Sequence, residues 1–275
     1  MHAPRNKPCS EPPVGRKKLD WIIATAETFR RYPSLAAQLH SRLLARESCG
    51  ALDVGGACLG LLHALAVAQA LISSGSTRAI LVVTADVHSR VLTPQTVAGE
   101  FGGLFGDGAS AFLLRSPESV AADRLLRYRV GRFFFGCAGQ YGDAIRVGES
   151  SQGKLDVHFD GEALSRAAIT RLEKVIVELE RRSNIPRASL LGLATHQPNP
   201  RLIALLAKQC GLPEGKFPPV ARECGNLGSS TCGVALDRIL NDSGFGTGGT
   251  VGRGPIFLAS LGPGLLFGGG WLYGT

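Results

Sequence analysis

Short apolar segments of strand length alternate with helix-length segments along this chain, and the alternation starts again after the midpoint. Continuously apolar runs of roughly four to eight residues are typical of strands that are buried on both faces of a sheet. The predicted strands and helices are residues 19–25, 32–44, 50–54, 57–73, 79–85 and 109–114, then 161–182, 190–194, 200–210, 229–240, 255–261 and 268–273. This order predicts an α/β fold with parallel strands, built as two similar halves.

The composition supports a folded core. Hydrophobic residues make up 44% and charged residues 19% of the 275 residues, which excludes a wholly disordered chain. The 36 glycines follow no collagen period, so they favour tight turns and close backbone approaches. The first eighteen residues are basic and proline-rich, and we expect a disordered leader at 1–18, an N-terminal half at 19–117 and a C-terminal half at 118–275.

The net charge limits the class of partner, and the cysteines limit the cellular compartment. A net charge of +8 favours anionic partners such as a phosphorylated cofactor or an acidic carrier protein. The basic residues are scattered and form no recognised nucleic-acid motif, so we predict no nucleic-acid partner. The seven cysteines include no C-x-x-C pair, and no secretory signal precedes them. We therefore predict no metal site, no membrane span and reduced thiols in the cytoplasm.

Three candidates for chemistry lie where predicted strands give way to predicted helices. Cys58 stands at the start of a helix, where the helix dipole lowers the pKa of a thiol. His196 follows a strand, at the edge of an α/β sheet where ligands bind. Asn226 lies in a glycine-rich loop before a helix. Each also has a structural interpretation, as a packed core thiol, a helix-capping loop residue and an N-cap respectively.

Together these residues resemble the β-ketoacyl-acyl-carrier-protein synthase III family of the thiolase superfamily. The motifs that carry the resemblance are, in chain order, 53–58 (DVGGAC), 106–111 (GDGASA), 196–199 (HQPN) and the segment that starts at 225–226 (GN). The resemblance extends from about residue 19 to the C-terminus. It implies a thiolase-like fold, with two similar βα halves packed as a five-layer αβαβα sandwich, in a homodimer.

The resemblance also implies a reaction, the decarboxylative Claisen condensation of an acyl-CoA with malonyl-acyl-carrier-protein. The Cys58 thiolate would take the acyl group from CoA. His196 and Asn226 would donate hydrogen bonds to the malonyl thioester oxygen as CO2 leaves. Backbone N–H groups of Cys58 and of the bend that contains Gly262 and Gly264 would hold the tetrahedral oxyanion. The products are 3-oxoacyl-acyl-carrier-protein, CoA and CO2, and no cofactor is implied.

Four further positions take a role from the same resemblance. Asn199, Arg201 and Lys208 would contact CoA or the acyl carrier protein, although a solvated helix face is the alternative for the two cations. Tyr32 would close the acyl pocket of a partner subunit. A bulky aromatic ring at that position predicts short or unusual acyl chains.

Two departures from the family pattern keep other interpretations open. Pro263 has no N–H where the commoner pattern has Gly or Ala, and Gly-Pro-Gly also occurs in polyketide-forming relatives. The family also begins with a strand, a loop and a helix that have no counterpart here. We expect that strand in the middle of a sheet, so that its absence leaves neighbouring strands unpaired. The alternatives are a non-catalytic remnant or partner subunit, and a relative that joins two acyl groups or extends a polyketide starter.

Overall fold

A computed structural model describes residues 18–92, 103–120, 128–149, 155–241 and 254–274. The predicted leader lies outside the described residues, apart from Lys18. The strands are β1 (Trp21–Thr25), β2 (Gly50–Asp53), β3 (Ala79–Asp86), β4 (Gly108–Arg115), β5 (Tyr128–Cys137), β6 (Ile145–Glu149), β7 (Leu155–Phe159), β8 (Gly192–Thr195), β9 (Ile256–Gly262) and β10 (Leu266–Gly274). The helices are α1 (Leu35–Arg42), α2 (Gly60–Ser73), α3 (Pro117–Val120), α4 (Gly161–Ser183), α5 (Pro200–Cys210), α6 (Val220–Cys224) and α7 (Thr231–Asn241).

Two four-stranded sheets form the frame of the molecule, in the orders β2-β1-β3-β4 and β5-β10-β9-β8. In the first sheet β1 runs parallel to β2 and β3, and β4 is antiparallel to β3. In the second sheet β8 is parallel to β9, whereas β10 is antiparallel to β9 and to β5. The predicted α/β fold is confirmed, but the sheets are mixed rather than parallel because β4 and β10 each follow their neighbour in the reverse direction.

Three apolar clusters stack these elements into five layers. Leu19, Ile22 and Ala36 join α1 to the outer face of the first sheet. The largest cluster holds α2 and α7 between the two sheets, with Leu62 and Leu236 among its buried side chains. A third cluster covers the outer face of the second sheet with α4 and α5. The predicted αβαβα sandwich is therefore confirmed, whereas the predicted division after residue 117, which falls within α3, stays a prediction.

No strand is missing from the middle of the first sheet. β1 is hydrogen-bonded to β2 on one side and to β3 on the other, with Trp21 opposite Gly50 and Ile80. The expectation of unpaired strands there is wrong, and the second sheet gives the reason. The strand that precedes the parallel pair in that half, β5, lies at the end of the sheet beside the antiparallel strand β10. An equivalent strand in the first half would therefore lie at the edge beside β4 and not in the middle of the sheet.

Close backbone approach at Gly60 fixes how α2 meets the first sheet. A Cβ on Gly60 would lie 2.1 Å from Oγ1 of Thr25, the last residue of β1. Thr25 is buried, so its side chain has little room to yield. The absence of a side chain at residue 60 therefore allows the start of α2 to rest on the carboxyl end of β1.

Gly60→Ala is expected to lower the free energy of unfolding by about 1–3 kcal/mol, the usual cost of adding volume to a filled core. Gly215→Ala is the matched control, because no atom lies within 4 Å of a Cβ at that position. The control is expected to change stability by less than about 0.5 kcal/mol. Urea denaturation measures both, and equal stabilities would contradict the close approach at Gly60.

Candidate active site

Loops from both halves of the molecule meet around Gly228, in the turn that leads into α7. The Gly228 N–H donates to Asn226 Oδ1 over 2.9 Å, and the His196 imidazole lies beside the Gly228 backbone. A Cβ at this glycine would lie 3.0 Å from Glu27 Oε1. The Glu27 carboxyl group in turn lies beside the Cys58 thiol. The structure thus joins the three predicted catalytic residues in one cluster.

Cys58 lies in the 3-10 turn Ala57–Leu59, between the end of β2 and the start of α2. The chain enters the turn through Gly56, whose φ of 128° favours glycine. Ser260 Oγ donates to the Cys58 carbonyl over 2.8 Å, which ties the turn to β9. Gly262, the last residue of β9, rests on the same turn, because a Cβ there would lie 2.9 Å from the Gly56 carbonyl oxygen. This predicted oxyanion-loop residue therefore lies against the turn that carries Cys58.

The environment of Cys58 favours the protonated thiol. Burial raises the pKa of Cys58 well above its ordinary value, and the negative charges of Glu27 and Asp86 raise it further. The prediction of a lowered thiol pKa at the helix N-terminus is therefore wrong. A helix dipole is worth about 1 kcal/mol or less at most sites, and desolvation in a buried site outweighs it.

Asp86, at the end of β3, is fully buried and saturated with hydrogen bonds. Its Oδ1 accepts from the Glu27 N–H over 2.6 Å and the Thr28 N–H over 3.1 Å. Its Oδ2 accepts from the Ser229 N–H over 2.9 Å and from the hydroxyl group of the same serine. The carboxyl group therefore holds the segment after β1 on one oxygen and the loop before α7 on the other.

Glu27 lies beside Asp86 and titrates very differently from a surface glutamate. Burial raises the pKa of Glu27 from 4.5 to about 7, and the charge of Asp86 adds to the rise. The hydrogen bond with Cys58 acts in the opposite direction. Glu27 Oε1 is buried and has no nitrogen or oxygen donor among the described residues.

His196 is neutral in the folded protein. Burial lowers the pKa of His196 from 6.5 to about 4, and the nearby His88 lowers it further. The neighbouring Gln197 fixes the loop, because its side chain donates to the Pro218 carbonyl over 2.7 Å and accepts from the Ala221 N–H over 3.0 Å. His196 Nδ1 is buried without a partner in the described part of the chain. A buried neutral imidazole is suited to donate a hydrogen bond rather than to supply a charge.

The glycine–aspartate turn of the sequence motif positions Asn226. The Asn226 N–H donates to the Leu104 carbonyl over 2.7 Å, and its carbonyl accepts from the Gly106 N–H over 3.0 Å. A Cβ on Gly106 would lie 1.9 Å from the Cys224 carbonyl oxygen, so only glycine allows this approach. Asp107 binds the N–H and hydroxyl group of Ser89 and fixes the turn. This motif therefore acts through backbone geometry.

The predicted binding residues lie at the surface. Asn199 caps α5, because its Oδ1 accepts from the Leu202 N–H over 2.9 Å. Arg201 and Lys208 are exposed on the same helix. Tyr32 is 98% exposed in the segment before α1, so its ring makes almost no contact with its own chain.

Sequence reasoning missed Glu27 and Asp86. Both follow the rule that selected His196, because they lie at the carboxyl ends of strands β1 and β3. Applying that rule to every strand would have found them. Among the described residues, no group of His, Cys, Asp and Glu side chains is arranged to hold a metal ion, and no helix is long and apolar enough to cross a membrane.

Glu27→Gln is expected to change how stability depends on pH. The folded protein holds the Glu27 proton up to about pH 7, whereas an unfolded glutamate loses it near 4.5. The wild type therefore loses stability relative to the variant as pH rises from about 4.5 through 7, by up to about 3 kcal/mol. Urea denaturation at about pH 5 and pH 8 measures the difference. A difference that does not change with pH would contradict the raised pKa.

Comparisons with known proteins identify a family. The family model of 3-oxoacyl-[acyl-carrier-protein (ACP)] synthase III matches residues 52–131, and the model of its C-terminal domain matches residues 173–273. The chain is 30% identical to the β-ketoacyl-[acyl-carrier-protein] synthase III of Haemophilus ducreyi, covering 99% of this chain and 81% of that protein. It is 32% identical to the enzyme of that name from Sphingopyxis alaskensis, covering 90% of this chain and 74% of that protein.

Solved structures of similar proteins have the same fold. The 3-oxoacyl-(acyl carrier protein) synthase III of Pseudomonas aeruginosa is 26% identical, with a TM-score of 0.78, over 93% of this chain and 76% of that chain. The priming β-ketosynthase of the R1128 polyketide pathway is 26% identical, with a TM-score of 0.81, over 94% of this chain and 76% of that chain. Because the two family models together match more than half of its residues, this chain belongs to the β-ketoacyl-[acyl-carrier-protein] synthase III family.

Proposed function

We propose that the protein is a condensing acyltransferase that joins an acyl-CoA to malonyl-acyl-carrier-protein and releases CoA and CO2. The observation that carries the proposal is the cluster around Gly228, in which a half-buried thiol, a neutral imidazole and an asparagine amide come together at one turn. In the proposed sequence Cys58 first takes the acyl group as a thioester. The malonyl thioester then enters, loses CO2 and attacks that acyl group.

The proposed roles of His196 and Asn226 rest on which of their atoms have no internal partner. Asn226 Oδ1 is occupied by the Gly228 N–H, which leaves the amide N–H groups to donate to a substrate oxygen. Neutral His196 supplies a second N–H donor. Two neutral donors in a buried site stabilise the negative charge that the thioester oxygen gains as CO2 leaves.

The proposed oxyanion donors for the tetrahedral intermediate are the Cys58 N–H and a backbone N–H of the bend after β9. Gly262 rests on the Cys58 turn. Pro263 has no N–H to donate. Gly264 has a φ of 79°, and its carbonyl accepts from the Cys137 thiol over 3.4 Å. A donor from this bend therefore belongs to one of the two flanking glycines.

The exposed face of α5 is the proposed docking surface for CoA and the acyl carrier protein. Arg201 and Lys208 flank Leu205, which is 51% exposed, so the face combines positive charge with an apolar contact. Nearby on α4, a cleft of about 460 Å³ is lined by Arg171 and Lys174 among others. Positive charge spread over both helices suits an acidic carrier and the phosphates of CoA.

A homodimer in the cytoplasm completes the proposal. Tyr32 is almost fully exposed on one chain, and this suits a side chain that enters the acyl pocket of a partner subunit. All six described cysteines are free thiols, as in a reducing compartment.

A second candidate function is the priming of a polyketide chain. The Gly262-Pro263-Gly264 bend favours it, and one similar structure is the priming β-ketosynthase of the R1128 pathway. Both functions pass through an acyl group on Cys58. They differ in the acyl chain that is loaded and in the carrier that accepts it.

Incubation with a panel of acyl-CoAs is expected to add one acyl group to the wild-type protein and none to Cys58→Ala, because only this thiol lies in the cluster. Intact-mass spectrometry measures the adduct and its preferred chain length. Cys224→Ala, which removes an exposed thiol, is the matched control and is expected to be acylated like the wild type. A folded dimer without any adduct would support a non-catalytic remnant instead.

Tyr32→Ala is expected to extend the acylated chain lengths by several carbons, because a smaller side chain leaves the partner's pocket deeper. Arg31→Ala, at an exposed neighbour, is expected to leave the preference unchanged. The same mass measurement over a series of chain lengths checks both. A wild type that accepts long chains as readily as short ones would contradict the role of Tyr32.

A further inference from the structure

The Glu27 carboxyl group has features of a reacting group rather than a structural one. It lies beside the Cys58 thiol, which is the proposed nucleophile. Its Oε1 atom is buried, and no nitrogen or oxygen of the described residues donates to it. A buried carboxylate oxygen without a donor is costly, so it is rare unless another function requires it.

Cys58 needs a base because burial and two acidic neighbours outweigh the one backbone N–H that favours its thiolate. The charged groups that act on the thiol are Glu27 and Asp86, and both are acidic. His196 is neutral and lies beside the Gly228 backbone. A thiolate formed ahead of the reaction would be a third negative charge in a buried site. The thiol proton therefore has to leave as the new bond forms.

Glu27 rather than Asp86 is placed to take that proton. Both oxygens of Asp86 are occupied by donors from Glu27, Thr28 and Ser229. Those donors leave neither oxygen of Asp86 free to take the thiol proton. Glu27 has no such donor on Oε1 and lies beside the thiol.

We propose that Glu27 is the general base and acid of the acylation half-reaction, an inference that rests on the proposed function. The Glu27 carboxylate accepts the Sγ–H proton while Sγ bonds to the acyl carbonyl carbon. The tetrahedral intermediate then collapses, the bond from carbon to the CoA sulfur breaks, and the proton on Glu27 passes to that sulfur. The balance is acyl-CoA plus thiol giving acyl-Cys58 plus CoA-SH, with Glu27 returned to a carboxylate.

The effect of Glu27→Gln on the acylation rate distinguishes this role from a purely electrostatic one, because the two roles predict changes of opposite sign. As a negative neighbour alone, Glu27 disfavours the Cys58 thiolate. Its neutral isostere would then make acylation faster. As the base and acid, its loss is expected to slow acylation about 100-fold, within the usual range for such catalysis.

The experiment is single-turnover acylation by an acyl-CoA, followed by intact mass between about pH 6 and pH 9, for the wild type, Glu27→Gln and Glu27→Asp. The wild-type rate is expected to rise through about pH 7 and then level off, as Glu27 ionises. The Gln variant is expected to be slow and to rise with pH throughout. The Asp variant is expected to recover part of the rate. The other titratable groups around the thiol, Asp86, His88 and His196, are present in all three proteins.

Alkylation of Cys58 by iodoacetamide, read by peptide mass, is the control for nucleophile access. Iodide needs no proton as it leaves. The alkylation rate therefore reports only how much accessible thiolate Cys58 provides. The proposal expects alkylation in Glu27→Gln to be as fast as in the wild type or faster, while acylation falls.

Three outcomes would overturn the proposal. If acylation and alkylation fell together, Glu27 would only position Cys58. If Glu27→Gln acylated as fast as the wild type, Glu27 would not act as the base, and the proposed function would stand. If the folded wild type formed no acyl adduct at all, the proposed function and this inference would fail together.

Discussion

The buried carboxylate of Asp86 is the interaction on which the site depends. It accepts from the backbone after β1 and from Ser229, a residue 143 positions later in the chain. A fully buried carboxylate without donors would cost several kcal/mol, so the folded chain has to bring these N–H groups to it. The two halves of the molecule therefore meet at a fixed distance. The same bonds fix Glu27 next to Asp86 and next to Cys58.

That arrangement determines the charge state of the whole site. Two acidic groups lie beside the thiol, and a neutral imidazole lies beyond Gly228. With both carboxyl groups buried, one of them holds a proton more strongly than a free carboxyl group does, and here that group is Glu27. The resting site thus holds Cys58 as a thiol. In the proposed reaction, Cys58 becomes reactive when one proton moves over a short distance as an acyl group arrives.

The sequence predicts local features of this fold well and the pairing of distant segments poorly. α5 begins and ends as predicted, because Asn199 caps its start and Gly211, with a φ of 63°, ends it. Strand direction and strand order depend on partners far away in the chain, and the mixed sheets and the pairing of β1 directly with β3 were therefore missed. Glu27 was missed for the same reason, since Asp86 lies 59 positions away and the motif around Cys58 gives no sign of it.

Each half of the fold contributes a different kind of chemistry, and Gly228 lies at the boundary. The first sheet carries the proposed nucleophile and both acidic groups at the ends of β1, β2 and β3. The second half carries the proposed neutral donors, which suit a place where an enolate would form, because acidic groups there would repel it. Gly228 has a φ of 58°, and a Cβ there would lie 2.9 Å from Asp86 Oδ2. Any side chain at this position would push the two sets of residues apart, so the close contact between their proposed functions, proton transfer and enolate stabilisation, requires glycine.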